Sequence, residues 1–257
     1  MEISFEINQG IAWIKLNRPE VYNAFNRSMA LQMQAALDEA AQDEAVRVVV
    51  ITGNGKAFSA GQDLGEAVAP DGPGLERILS EHYNPIIKKI SALAKPVIAL
   101  VNGVAAGAGA NIALACDIVL AHEQASFIQA FSKIGLIPDS GGTYLLPRLI
   151  GSQKALALMM TGDKVSAAEA ERMNMIYKAV PAADYDQVTN AFISNLASMP
   201  TKALALTKQA VQLSWFQSMD EQLETELKLQ VEAGNTADFK EGVHAFLEKR
   251  KPNFTGK

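Results

Sequence analysis

One cysteine, three histidines and two tryptophans are all that 257 residues supply of these types. A single thiol, Cys116, can close no disulfide within the chain and build no cysteine-based zinc site. His82, His122 and His244 lie far apart in sequence, so no histidine metal motif stands out and no metal is expected. An excess of basic charge is missing too. The 23 Lys and Arg stand against 28 Asp and Glu, a formal net charge of −5. Binding a phosphate backbone needs the opposite sign, so nucleic acid is not an expected partner. The opening MEISFEI is acidic and alternating, not a basic stretch before an apolar one. It carries no export signal, and a cytoplasmic protein is expected. Only one long run lacks charge, from Pro96 to Cys116, about the length of a bilayer span. It contains Asn102, Asn111, Gly103, Gly107 and Gly109. Those internal turn signals make it a buried strand, a glycine turn and a buried helix, so no membrane contact is expected.

What is present is a globular composition, 49% hydrophobic and 20% charged. Ile3 to Ile7 and Ile11 to Leu16 alternate around Asn8-Gln9-Gly10, which predicts a hairpin. Asn26 or Ser28 can cap a helix over Met29 to Asp43, with its apolar stripe at Met29, Met33, Ala36, Leu37 and Ala40. VRVVVIT (Val46 to Thr52) and Pro96 to Val101 read as buried strands. A loop over Asn54 to Gly74 and a helix over Leu75 to Leu93 separate them. Gly107 to Ala115 reads as a helix, and Asp117 to Ala121 as a strand. Beyond about residue 140 only Ile176 to Val180 looks like a strand. Six helices are expected there, starting near Gly151, Ser166, Asp184, Thr201, Met219 and Ala237. Strands alternating with helices make the front an α/β sheet with parallel crossovers. The back is a helical layer.

Two segments that follow buried strands carry small residues: Ala57-Phe58-Ser59-Ala60-Gly61-Gln62-Asp63-Leu64, and Asn102 to Asn111. Ligands of α/β sheets sit beyond the carboxyl ends of the strands. Glycine there lets a ligand approach the backbone. Two free N–H groups from two such turns can pinch one oxygen as an oxyanion hole. Close strand–helix packing explains the same glycines. A dinucleotide site is weaker, because Ile112 stands where the third glycine is needed. Asp139, in GLIPDSGG, sits among apolar residues, where desolvation suits a carboxylate to proton transfer. Capping a helix over Ser140 to Leu149 is the other reading of it. Ser140 resembles a nucleophile elbow with Pro138 in place of the first glycine, and no histidine is placed by motif to serve it. Cys116 reads as an inert core thiol and Asp117 as a backbone anchor.

LNRPEVYNAF, FSAGQDL, NGVAAGAGANIALACDIVLA, GLIPDSGGTYLLPRLIG and the ending DFKEGVHAFLEKRKPNFTGK occur in this order. Together they resemble the crotonase, or enoyl-CoA hydratase/isomerase, superfamily from the first strand to the last residue. The resemblance implies an α/β fold, a spiral of ββα units with a C-terminal helical trimerisation region. Residues 1–195 would form the spiral core with the acyl-CoA and catalytic site. Residues 196–257 would form the oligomerisation region of a homotrimer or dimer of trimers. It implies an acyl-CoA thioester as substrate, with coenzyme A part of that substrate and no further cofactor. Motif for motif, the thioester oxygen is held by the backbone N–H groups of Gln62 and Ala108. Ala60, Gln62, Asp63, Leu64, Gly107 and Phe131 would line the substrate, with Arg18 and Lys249 available to the CoA phosphates. Solvated surface charge is the more frequent explanation for each of those two basic residues taken singly.

The two carboxylates of the family's hydratases fall on Asn111 and Phe131, neither of which can exchange a proton. The carboxylate is at Asp139 instead, a position that serves as a base in isomerases of the family and as a nucleophile in its dehalogenases. Dehalogenation also needs a histidine where Asn84 stands and a tryptophan where Phe131 stands. FSAGQDL, HYNPIIKKI, AFSKIGLIPDSGGTYLLPR and FLEKRKPNFTGK are nearest to members that turn a ring-epoxidised phenylacetyl-CoA into an oxepin and shift 3-enoyl double bonds into conjugation. The implied function is therefore an acyl-CoA isomerase of phenylacetate breakdown. A generic hydratase and a non-catalytic acyl-CoA- or RNA-binding relative are the alternatives.

Overall fold

Gln9 and Gly10 both take positive φ, 51° and 76°, the combination that closes a two-residue hairpin. This computed structural model describes residues 1–257, and it opens with that hairpin. β1 (Ile3–Asn8) pairs antiparallel with β2 (Ile11–Leu16). From β2 onward the large sheet is parallel: β3 (Val48–Gly53), β5 (Val97–Val101), β7 (Ile118–His122) and β10 (Lys178–Val180), in the order β1-β2-β3-β5-β7-β10. Its central strands are buried on both faces, which is why VVVIT and VIALV run apolar without alternation. The helix Arg27–Gln42 covers one face with Met29, Met33, Ala36, Leu37 and Ala40, and Asn26 caps it by accepting the Met29 N–H. The other face meets Ile193, Val188 and Phe192 of the helix Tyr185–Ala197.

A second sheet was not expected. β4 (Ala57–Ser59), β6 (Val104–Ala106), β8 (Ser126–Ile128) and β9 (Lys164–Ser166) form it in the order β4-β6-β8-β9. Each strand has three residues, too few for a period of two to register in sequence. Two of them lie inside segments read as loop or glycine turn. β9 also corrects the reading that Ile176 to Val180 is the only strand beyond residue 140. The two sheets together make the spiral. β3, β5 and β7 lie in the large sheet, and each passes directly to β4, β6 or β8 in the small one. Helical segments then lead back.

The helix expected over Leu75 to Leu93 is present with an interruption. Gly74–Arg77 continues into a π-helical turn, Ile78–Tyr83, and then into Asn84–Ala92. Pro85 has no N–H and crowds the carbonyl four residues back, and widening the preceding turn relieves that clash. The carbonyls of Glu81 and His82 accept Gln34 Nε2 instead, at 2.8 and 3.2 Å.

All six helices expected in the back half are present. Thr201–Ser214 is fastened to the core: Lys208 Nζ reaches Asp117 Oδ2 at 2.9 Å and the Ile90 carbonyl at 2.8 Å. Met219–Gly234 buries no residue fully. Met219, Leu223, Leu227 and Val231 follow at four-residue intervals and are 55–74% exposed, an apolar stripe along one face. No helix is long and apolar enough to cross a membrane.

Candidate active site

Gly61 has φ +91°, and a Cβ there would lie 2.8 Å from the Ala106 oxygen and 3.3 Å from the Ala108 nitrogen. Only glycine lets the two turns touch. Phe25 grips the chain on both sides of Gln62: its N–H donates to the Gly61 oxygen (2.7 Å) and its carbonyl accepts the Asp63 N–H (2.8 Å). The Gln62 N–H between them donates to no group of the chain. Ala108 is the first residue of the helix Ala108–Ala115, after Gly107 with φ +52°. The first N–H of a helix has no intrahelical acceptor and sits at the positive end of the dipole. Gly109 allows this helix to lie on β4, since a Cβ there would come within 2.6 Å of Ser59 Cβ. The fold thus brings the Gln62 and Ala108 turns into contact.

Phe131 is buried, and its ring tip lies 3.8 Å from where a Cβ on Gly107 would be. It walls the second turn with carbon. Asn111 is fully buried as well. Its Oδ1 accepts Gln129 Nε2 at 2.8 Å, and its Nδ2 donates to the main-chain oxygen of Asp139 at 2.8 Å. Gly142 makes room, since a Cβ there would stand 2.3 Å from Asn111 Nδ2.

Asp139 does not cap the following helix. That helix is Gly142–Ile150, its N-cap is Gly141, and no side chain caps it. Ser140 and Gly141 both have positive φ, 50° and 75°, which turns the chain between Asp139 and the helix. The Asp139 carboxylate accepts one hydrogen bond, from Ser140 Oγ at 2.8 Å. Burial raises its pKa above the usual aspartate value, and the Ser140 hydroxyl opposes the rise. Ser140 itself is 2% exposed with its hydroxyl hydrogen given to Asp139, so the hydroxyl supports that carboxylate.

Other residues of the expected site are placed differently. Arg18 is committed within the chain: Nη1 to the Ala24 carbonyl at 2.6 Å, Nη2 to Asp63 Oδ2 at 3.0 Å, Nε to Glu2 at 3.4 Å. Asp63 also accepts the Gly65 and Glu66 N–H groups and so caps Leu64–Ala67. The pair braces the Gln62 turn. Ala60 and Leu64 are exposed on either side of that turn. Lys249 is exposed after the last helix, and its N–H donates to the Phe246 carbonyl. A cavity of about 780 Å³ lies elsewhere, between the helices that carry Ile87, Leu114, Tyr144 and Val211. Its lining includes Gly141 but none of Gln62, Ala108 or Asp139.

Tyr83 is the residue that sequence reading missed. It is fully buried, and its hydroxyl donates to Gln62 Oε1 at 2.9 Å. Burial, and next the charge of Asp139, push its phenol well above the usual tyrosine pKa. Pro85 two residues on was the available signal, since a proline inside a helical pattern marks a disturbed turn.

The chain is similar to known proteins over nearly its whole length. The family model for enoyl-CoA hydratase/isomerase matches residues 6–257. A Rhodobacter capsulatus protein described as a probable enoyl-CoA hydratase is 47% identical over 99% of this chain and 98% of its own. The 1,2-epoxyphenylacetyl-CoA isomerase of Escherichia coli is 44% identical over 98% of this chain and 97% of its own. The crystal structure of an enoyl-CoA hydratase from Bacillus anthracis superposes with a TM-score of 0.93 at 32% identity, covering 100% of both chains. On sequence and on fold over nearly its whole length, the chain belongs to the enoyl-CoA hydratase/isomerase, or crotonase, family and is an enzyme of that family.

Proposed function

We propose that this enzyme is an acyl-CoA isomerase that moves a proton with one carboxylate. The thioester oxygen takes hydrogen bonds from the Gln62 and Ala108 N–H groups. Asp139 removes a proton from the carbon beside the thioester carbonyl, and the negative charge goes to that oxygen. Each preformed donor contributes on the order of 3 kcal/mol to such an oxyanion. Asp139 then returns the proton to a carbon further along the conjugated system. The double bond ends in conjugation, and no water, metal or redox partner enters the balance. The observation that carries this reading is the half-buried Asp139 carboxylate, held by one hydrogen bond from Ser140, where the two other candidate positions hold Asn111, locked by two hydrogen bonds, and Phe131, a carbon wall. Water addition needs one group to activate water and another to deliver a proton, and these two can do neither.

The substrate is a ring-epoxidised phenylacetyl-CoA, converted to its oxepin isomer, and the same base and hole shift 3-enoyl-CoA to 2-enoyl-CoA. The Escherichia coli relative's name supports the first. A second relative named an isomerase, the trans-2-decenoyl-[acyl-carrier-protein] isomerase of Streptococcus mutans, is 41% identical over 100% of this chain. A cytoplasmic place in phenylacetate breakdown follows from this substrate. Of the two basic residues expected at the CoA phosphates, Lys249 is free, whereas Arg18 is engaged. We assign residues 196–257 to assembly as a trimer or dimer of trimers, because the stripe Met219, Leu223, Leu227 and Val231 is uncovered in a single chain. A paired assay tests the function. A 3-enoyl-CoA should be isomerised rapidly, and crotonyl-CoA hydrated slowly or not at all. Rapid hydration of crotonyl-CoA without isomerisation would make the protein a hydratase with a different acid.

A further inference from the structure

We propose that Tyr83 is a positioning residue that keeps the oxyanion hole open by holding the side chain of Gln62. The inference rests on the reading of the Gln62 N–H as a donor to the thioester oxygen. Phe25 fixes the Gln62 main chain from both sides, but its backbone does nothing to the side-chain amide. That amide is tethered at both ends by other groups. Gln62 Nε2 donates to the Asp63 carbonyl at 3.2 Å, and Oε1 accepts the Tyr83 hydroxyl at 2.9 Å. Tyr83 is itself immobile, fully buried in the π-helical turn with its ring against Phe25 at 5.9 Å between centroids.

The tether matters because of what stands beside it. The Gln62 N–H is an unpartnered donor, and the Ala108 N–H emerges from the adjoining turn. An amide oxygen released on the half-buried Gln62 side chain is an acceptor carried by the same residue as the first of these donors. It would fill the hole that the substrate oxygen needs. A glutamine at this position is therefore a hazard unless its oxygen is occupied, and Tyr83 occupies it. The phenol is suited to the task because burial and the Asp139 charge keep it protonated, so it donates at any working pH. Tyr83 need not touch the substrate for this role.

Tyr83→Phe keeps the ring and removes the hydroxyl. Its kcat for 3-enoyl-CoA isomerisation should fall about 10-fold, less than the loss of a whole oxyanion donor, with KM little changed. The acid limb of the pH profile should stay in place, since Asp139 is untouched. In a Gln62→Ala background, where no amide can swing, the same substitution should change kcat by less than about 2-fold, the non-additivity that marks residues acting through each other. A saturated acyl-CoA labelled with carbon-13 at the thioester carbonyl gives a readout free of turnover. Its carbonyl stretch should drop on binding wild type and return toward the free value on binding Tyr83→Phe. An unchanged kcat and stretch in Tyr83→Phe, an equal loss in the Gln62→Ala background, or a displaced acid limb would each overturn the proposal. A stretch that does not move on binding wild type would instead remove the Gln62 N–H from the hole, which separates the two failures.

Discussion

Asn111 Nδ2 donates a 2.8 Å hydrogen bond to the main-chain oxygen of Asp139. Asn111, fully buried, thus holds the loop that carries Asp139. The bond needs a donor, so a carboxylate at 111 would face a carbonyl oxygen and repel it. The side chain's visible role is to place that loop.

Asn111→Leu should therefore damage both stability and turnover. It strands Gln129 Nε2 and the Asp139 oxygen, and leaving buried polar groups unpaired costs roughly 1–3 kcal/mol. Isomerase turnover should fall about 10-fold as the Asp139 loop shifts, a fraction of a general base's whole contribution. Denaturant unfolding and steady-state rates on the same preparation check both numbers.

The acid dependence of Asp139 has a definite sign. Its pKa is raised by burial, so the base form is lost at a higher pH than for an exposed aspartate, whose pKa is about 4. The kcat/KM profile should fall as pH drops through that raised value. The same shift sets stability. The folded protein holds this proton more tightly than the unfolded chain, so the site's contribution is present at low pH and is lost as pH rises through the raised pKa. At neutral pH the buried charge is a burden, and Asp139→Asn should melt at or above wild type. Its advantage should vanish below about pH 4, where both forms are neutral. Thermal melts across that range decide it.

Much of this was legible in the residues, for reasons that differ by element. The strands β3 and β5 announced themselves as uncharged β-branched runs, and the helix Arg27–Gln42 by a stripe at helical spacing under an asparagine cap. The small sheet was not legible, because AFS, VAA, SFI and KVS pair only once the spiral brings them together. Gln62, Ala108 and Asp139 came from motif order. Sequence left open whether Asp139 caps a helix, and the positive φ values at Ser140 and Gly141 settle that by moving the cap to Gly141. Arg18 looked like a free cation because its partners Glu2 and Asp63 lie 16 and 45 residues away. Tyr83 was hidden inside a helix whose irregularity depends on one proline.

Assembly can be tested on the exposed stripe itself. Leu223 and Leu227 are 55% and 59% exposed in the single chain, so replacing both by Lys should alter its own folding by no more than about 0.5 kcal/mol per site. Light scattering should show the intact protein as a trimer or a multiple of it and the double variant as smaller species. An intact protein that runs as a monomer would refute the assignment, and a dimer would reject the three-fold arrangement.

The central claim is that Asp139 moves the proton, and the most direct measurement is 3-enoyl-CoA isomerisation by Asp139→Asn. Asparagine keeps the size, can still accept the Ser140 hydroxyl, and leaves the main-chain bond to Asn111 in place. Acyl-CoA binding should be retained while kcat falls by at least about 100-fold, the usual contribution of a general base. Isomerisation at close to the wild-type rate would contradict the account.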